Sequence, residues 1–258
     1  VTYPGGKGGA GVAQTIINQM PPHELYIEAF AGGASVYQAK RPAAQSILIE
    51  KDAAQIPQLE MIARDSTEVV HGCAISFLSR LVAGDGSFGD GALIYLDPPY
   101  VRETRTRDLY RHEMSDDDHL TLLDLAKSLA SASADVVISG YPSAMYDRQL
   151  SGWRRVEFQA MTRGGLRTEC LWMNYPEPDA LHDYRYLGEN RTERQRIRRK
   201  IHRWKTKLTA LPALERKAIL AELADPGRAD DFACAGSCER QGGDFCITPP
   251  SDYRRLQG

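Results

Sequence analysis

Ala92-Leu93-Ile94-Tyr95-Leu96 is an apolar run that stops abruptly on Asp97-Pro98-Pro99-Tyr100. A run this short, bounded by prolines, reads as a buried strand rather than a helix. The two prolines stiffen the loop that follows it. Working outward, runs of the same kind occur at 25–30, 46–50, 68–71 and 135–139, and later at 156–160 and 169–174. The stretches 57–64, 75–82 and 118–129 carry apolar residues at helical spacing. Strands alternating with helices predict an α/β fold, a parallel sheet with helices on both faces. Ligands of such sheets bind beyond the carboxyl ends of the strands. Three runs close on chemically suggestive residues, Gly32-Gly33, Glu50 and Asp97, which are expected to face one crevice.

Composition narrows the partners. The 258 residues are 42% hydrophobic and 26% charged, with a formal net charge of -2. That balance excludes a protein that coats nucleic acid by overall basicity, so any such affinity must come from local patches. No apolar run reaches the length of a membrane span, and no membrane partner is expected. The chain opens on Val1 without the apolar core of a secretory signal, and a short N-terminal piece is expected to be missing. Five cysteines, at 73, 170, 234, 238 and 246, are too sparse and uneven for a disulfide framework. A reducing cytoplasm is the expected compartment. Cys234, Cys238 and Cys246 lack a fourth ligand and a nearby histidine, so no metal is expected.

Beyond Pro176 the composition shifts. Ile197, Ile201, Trp204, Leu208 and Leu211 are spaced by 4, 3, 4 and 3 residues, one face of a long helix. Pro212 ends it, and 213–224 reads as a second helix, which together predict a C-terminal helical hairpin. Three parts result: a catalytic domain over 1–176, a basic hairpin over 177–224 and a loosely ordered tail over 225–258. Residues 185–207 hold ten Lys/Arg against two acids, a stripe suited to phosphates through side chains such as Arg198 and Arg199. The apolar face from Ile197 to Leu211 is expected to pack on the core or on a second copy of the chain.

Asp97-Pro98-Pro99-Tyr100 has a specific chemical reading. The exocyclic amine of adenine is a poor nucleophile because its lone pair is delocalised into the ring. Two acceptors, the Asp97 carboxylate and the Pro98 carbonyl, can each hold one amine hydrogen and turn that lone pair outward. Tyr100 offers a face for a flipped base. Phe30-Ala31-Gly32-Gly33 closes the first strand with glycines that let a ligand approach the backbone. Glu50 can accept hydrogen bonds from a ribose diol. Taken as plain structure, the same residues are a Pro-Pro turn, a strand-to-helix turn and a solvated acid.

With Tyr3-Pro4-Gly5-Gly6-Lys7, Glu28-Ala29-Phe30-Ala31-Gly32-Gly33, Asp97-Pro98-Pro99-Tyr100-Val101, Tyr110-Arg111-His112-Glu113-Met114, Ser139-Gly140-Tyr141 and Arg167-Thr168-Glu169-Cys170-Leu171-Trp172-Met173-Asn174 in this order, the chain resembles the D12 class of DNA adenine N6-methyltransferases. The likeness is to the compact phage and mobile-element members and covers about residues 3–175. It implies a Rossmann-like methyltransferase sheet, S-adenosyl-L-methionine as methyl donor and DNA as partner. It also implies direct transfer with no covalent intermediate. Tyr3, Lys7, Glu50 and Asp97 are then expected at the donor site, beside Phe30, Gly32 and Gly33. Asp97, Pro98, Pro99 and Tyr100 are expected at the target adenine, with Ser139 and Tyr141 lining the same pocket. A restriction endonuclease partner and a homodimer both stay open.

Two departures stand out. Cys73 occupies the place where many relatives have an acid contacting the donor's adenine. Only 23 residues separate Cys73 from Asp97, too few for the usual target-recognition insert. Base recognition is therefore expected from Arg105 and Arg107 or from the basic helix. Methylation of cytosine N4, an RNA adenine or a protein amide on the same scaffold stays open, as does a decayed, non-catalytic DNA-binding protein.

Overall fold

Side chains alternate across a strand, and here both faces of the alternation are apolar, so the sheet must be covered on both sides. The computed structural model describes residues 6–9, 11–84, 91–104, 111–162 and 165–224. Tyr3, Arg105, Arg107 and the 225–258 tail with its three cysteines lie outside the described residues. Seven strands, β1 (Leu25–Ala29), β2 (Gln45–Glu50), β3 (Thr67–His71), β4 (Ala92–Leu96), β5 (Asp135–Gly140), β6 (Arg154–Thr162) and β7 (Gly165–Met173), form one sheet in the order β3-β2-β1-β4-β5-β7-β6. The first five are parallel and follow the doubly wound, Rossmann-like order.

Tyr26, Leu93, Tyr95 and Val137 point to one face, where they pack with α1 (Val12–Ile17), α2 (Ser35–Ala39) and α3 (Ile56–Ile62). Ile27, Ile94, Leu96, Val136 and Ile138 point to the other, against α4 (Ala74–Ala83), α5 (Asp116–Ser131) and α6 (Ala144–Gln149). A capping box starts α5: the Ser115 hydroxyl accepts from the Asp118 amide at 3.1 Å, and the Asp118 carboxylate accepts from the Ser115 amide at 2.9 Å. Ala29 lies opposite both Ile49 and Leu96, so β1, β2 and β4 finish at one level. The chain reverses its winding between β1 and β4, and the crevice beyond their carboxyl ends is the switch point of the sheet.

The sheet is mixed, where the alternation of elements predicts a parallel one. Only residues 163 and 164 separate β6 from β7, too few for a crossover, so the two pair antiparallel; β7 also runs antiparallel to β5. The segment after β7 is anchored to the sheet-bearing part. His182 stacks on His23 at 3.8 Å, Asp183 accepts from the Arg41 amide at 2.9 Å, and the Tyr186 hydroxyl donates to the Ala39 carbonyl at 3.1 Å.

By contact density the chain divides into two compact units, Val1–Lys200 and Ile201–Gly258, whereas the composition shift suggests a boundary at 176. Helix α7 (Arg191–Ala210) begins in the first unit and continues into the second, where α8 (Ala213–Ala224) follows Pro212. Neither helix buries a residue, and Ile201 and Trp204 of the apolar face are both half-exposed. Among the described residues no helix is long and apolar enough to cross a membrane.

Candidate functional site

The turn after β1 is built from residues forced into the left-handed region: Phe30 has φ 65°, Gly32 φ 50° and Ala34 φ 47°. Only glycine adopts this region freely, so Phe30 and Ala34 are held there by their surroundings. Part of that hold comes from β2: the Ala31 amide donates to the Ile49 carbonyl at 2.9 Å and the Gly32 amide to Glu50 Oε2 at 2.7 Å. Glu50 Oε1 accepts from the Asp52 amide, also at 2.7 Å. Glu50 thus ties the turn to its own loop. Each of its oxygens has one backbone donor and a further lone pair for a ligand. A Cβ at Gly33 would meet no atom within 4 Å, so this residue faces open space.

That space is a cavity at the switch point, lined by Lys7, Phe30, Gly32, Gly33, Glu50, Asp97 and Pro99 among others. Every described residue expected at the donor site is therefore in one wall or another. Its remaining walls include Glu28, Gly72, Cys73 and the stretch His112-Glu113-Met114. Five carboxyl groups, those of Glu28, Glu50, Asp97, Glu113 and Asp118, face two lysines, Lys7 and Lys51. Acid-rich walls of this kind suit a ligand with net positive charge.

Asp97 stands where the cavity meets the loop after β4. Its Oδ1 accepts from the Ser139 hydroxyl at 2.7 Å and pairs with the Lys7 ammonium at 2.8 Å. Ser139, fully buried on the neighbouring β5, is itself bonded to the Tyr95 hydroxyl at 3.0 Å. The Lys7 ammonium donates to the Tyr100 hydroxyl and lies 4.6 Å from that ring's centroid. Tyr100 in turn donates to Glu169 Oε2 at 2.6 Å, with the same oxygen 3.7 Å from Lys7. Tyr141 meets Tyr100 edge-on, ring centroids 4.5 Å apart. Tyr100 is buried and Asp97 part-exposed, so the network has one accessible carboxylate and an inner support. Buried networks of this kind hold their members in fixed geometry only when every member is satisfied.

Burial sets three further titrations. Glu28, wholly inside the sheet and against the cavity, has its carboxyl pushed up to about 8 by desolvation. Its Oε2 accepts from the Tyr26 hydroxyl at 2.8 Å and the Tyr37 amide at 3.0 Å. Desolvation pushes Lys40 down to about 7 and His23 down to about 3. The unfolded chain gives up the Glu28 proton near its ordinary value, 4.5, while the folded chain keeps it until about 8. A raised folded value means this group's contribution to stability declines as pH rises through that window. Glu28→Gln should therefore gain thermal stability relative to wild type as pH goes from about 5 to 8. Paired melting curves across that range check it, and a constant difference would refute it.

Arg198 and Arg199 are exposed on α7 and line no described cavity. Part of the basic stretch is structural: Arg185 pairs with Asp183 at 2.6 Å, Arg196 with Glu193 at 3.1 Å, and Arg194 donates to the Gly188 carbonyl at 3.3 Å. Residue patterns alone gave no role to Glu28 or to the cavity-lining His112, Glu113 and Met114. Glu169 likewise counted only as one letter of a strand motif. A lone acid inside an apolar strand is the signal that could have drawn attention to Glu28 and Glu169. A second, polar cleft beside Tyr141 is lined by Glu103, Thr104, Ser143, Arg167 and Thr168.

No family model matches the chain, and no curated protein matches it. Among solved structures, a putative methyltransferase, yhhF, from Escherichia coli is 18% identical over 67% of this chain and 92% of its own, with a TM-score of 0.41. A dimethyladenosine transferase from Plasmodium falciparum is 12% identical over 62% of this chain and 60% of its own, TM-score 0.41. An rRNA methylase from Streptococcus thermophilus is 7% identical over 62% and 92%, TM-score 0.40. Likenesses this distant define neither a family nor a substrate for this chain.

Proposed function

We propose that this chain is an S-adenosylmethionine-dependent methyltransferase acting on the N6 amine of adenine in DNA. The observation that carries the reading is the double position of Asp97. One carboxylate both walls the acid-rich cavity and opens the Pro-Pro-Tyr loop at the switch point of the sheet. Of the five carboxyl groups in the cavity walls, the four other than the proton-holding Glu28 fit a donor bearing a sulfonium and an ammonium. Gly32, Gly33 and Phe30 form the backbone wall, Glu50 is the acceptor for a ribose, and Lys7 and Asp97 close the end nearest the loop. When bound, S-adenosylmethionine supplies a methyl group on a positively charged sulfur.

This chain's own part is to present the amine. The Asp97 carboxylate and the Pro98 carbonyl accept its two hydrogens, which directs the nitrogen lone pair into the cavity. Positive charge gathers on that nitrogen as it is alkylated, and the carboxylate at 97 stabilises it and receives the displaced proton. The target base must leave its stack to reach this loop. Ser139 and Lys7 hold the Asp97 carboxylate, and Tyr141 braces Tyr100.

The test is transfer of radiolabelled methyl from S-adenosylmethionine to mixed-sequence duplex DNA, followed by nucleoside analysis. N6-methyladenine is the expected product. N4-methylcytosine would overturn the reading of Asp97, and no incorporation by folded protein would overturn the reading as a whole.

A further inference from the structure

Glu28 is the least expected acid of the cavity wall, because it stands inside a buried strand and is only 3% exposed. Its two oxygens differ. Oε2 accepts twice, from the Tyr26 hydroxyl and the Tyr37 amide. Oε1 has no partner among the described residues and still keeps some exposed surface, which in a residue lining the cavity is surface open to it. A proton held by this carboxyl group therefore belongs on Oε1, facing the cavity.

No cation is paired with Glu28 among the described residues. From β1 it meets the Tyr26 hydroxyl, and from β4 it meets Tyr95, directly opposite in the ladder, and the like charge of Asp97. From α2 it meets the Tyr37 amide, and just past that helix stands Lys40. Lys40 Nζ is turned to the Arg41 carbonyl at 3.0 Å and lies 4.1 Å from the centroid of the Tyr26 ring. Lys7 is already paired with Asp97 at 2.8 Å. Glu50, Lys51, Cys73, His112, Glu113 and Asp118 complete the titratable walls.

A carboxyl group buried without a counter-ion keeps its proton, and desolvation holds Glu28 up to about 8. A cation brought within about 4–6 Å reverses that balance, because it favours the ionised form. A neutral group of the same shape does not. S-adenosylmethionine and S-adenosylhomocysteine differ in this respect: the sulfur is a cation before methyl transfer and neutral after it.

We propose that Glu28 distinguishes the methyl donor from the spent product by charge, through a proton that leaves when the donor binds and returns when the methyl group has gone. As the donor's charge arrives, the Oε1–H bond breaks, the proton passes to solvent and the carboxylate remains as counter-ion. Once that charge has left the sulfur, the carboxylate takes a proton back from solvent and its hold on the product ends.

This proposal rests on the donor reading of the cavity, and its test separates the two. Calorimetric binding of S-adenosylmethionine and S-adenosylhomocysteine is measured for wild type and Glu28→Gln from pH 6 to 8. Each titration is run in phosphate and in Tris, whose different heats of ionisation give the number of protons released. Glutamine keeps the shape and the acceptor but has no proton to give, and comparison of the two proteins cancels any ionisation of the ligands. Relative to the variant, wild type should gain at least about ten-fold in donor affinity between pH 6 and 8, as the ionised fraction of Glu28 rises. Its affinity for the product should show no such gain. Wild type should also release more protons than the variant on binding donor, and no more on binding product. Equal pH profiles or equal proton counts in the two proteins overturn the proposal. Should the variant not fold, the wild-type proton counts for donor against product decide alone, and equal counts overturn it. Wild type that binds neither ligand overturns the donor reading instead.

Discussion

Asp97→Ala should reduce methyl transfer by roughly a thousand-fold while the protein stays folded and keeps much of its donor affinity. Removal of one hydrogen-bond donor preorganised on developing negative charge costs two to three powers of ten in rate elsewhere, and a carboxylate preorganised on developing positive charge is the counterpart. At Asp97 the same group also aims the nucleophile, which places the effect at the upper end. The fold should survive because Asp97 is part-exposed and sits outside both cores. Some destabilisation is expected, since the buried Lys7 ammonium would lose its 2.8 Å ion pair with Asp97. Single-turnover rates at saturating donor, beside circular dichroism and calorimetric donor binding, make the measurement. Turnover within ten-fold of wild type would sink the assigned role of Asp97.

Glu169→Ala should come next, with turnover down roughly a hundred-fold. Glu169 is a positioning residue: it acts through Tyr100, whose hydroxyl it receives at 2.6 Å, and through Lys7. Its loss removes the acceptor that fixes the Tyr100 hydroxyl, and a displacement of about 1 Å at a reacting pair is enough for such a penalty. Glu169→Gln keeps an acceptor of the same shape and removes only the charge, so it should recover most of the loss. A merely structural residue would show parallel losses in stability and turnover for both variants. A positioning residue shows a drop in kcat with the Gln variant rescuing it at equal melting temperature. Equal defects in Ala and Gln variants would shift the weight from the hydrogen bond to the charge facing Lys7.

All seven strands were legible because each carries a run of apolar or β-rich residues. β1, β4 and β5 are buried on both faces, and that condition writes a mostly apolar run into the sequence, unbroken in β4 and interrupted by Glu28 in β1 and Ser139 in β5. Five helices, α3, α4, α5, α7 and α8, were legible from apolar spacing or from the proline between them. α1, α2 and α6 were not: with six, five and six residues they are under two turns long, too short to show a period. Tertiary packing holds them, as Ile16, Tyr37 and Tyr146 show by their burial. The antiparallel end of the sheet is equally silent in a strand pattern, since strand runs do not state their direction; only the two-residue gap after Thr162 does.

In the site, the loop from Asp97 was plain because consecutive prolines after a strand are rare punctuation. Glu50 was legible as a strand-end acid, but not its hold on the Gly32 amide, which depends on the register of β1 against β2. Glu169 reaches Tyr100 because β7 lies beside β5, an adjacency across 29 residues of chain between Gly140 and Glu169 that no local pattern records.

The turn after β1 carries a last consequence. Phe30 and Ala34 sit in a backbone region that costs non-glycine residues on the order of 1 kcal/mol each. Glycine at either position would relax the chain, yet Ala34 is buried in the first core and Phe30 walls the cavity. The molecule therefore meets the conformational cost of this wall when it folds, not when a ligand arrives. A ligand entering the cavity finds the turn already in place, so its arrival at this wall is governed by collision rather than by waiting for a rare shape.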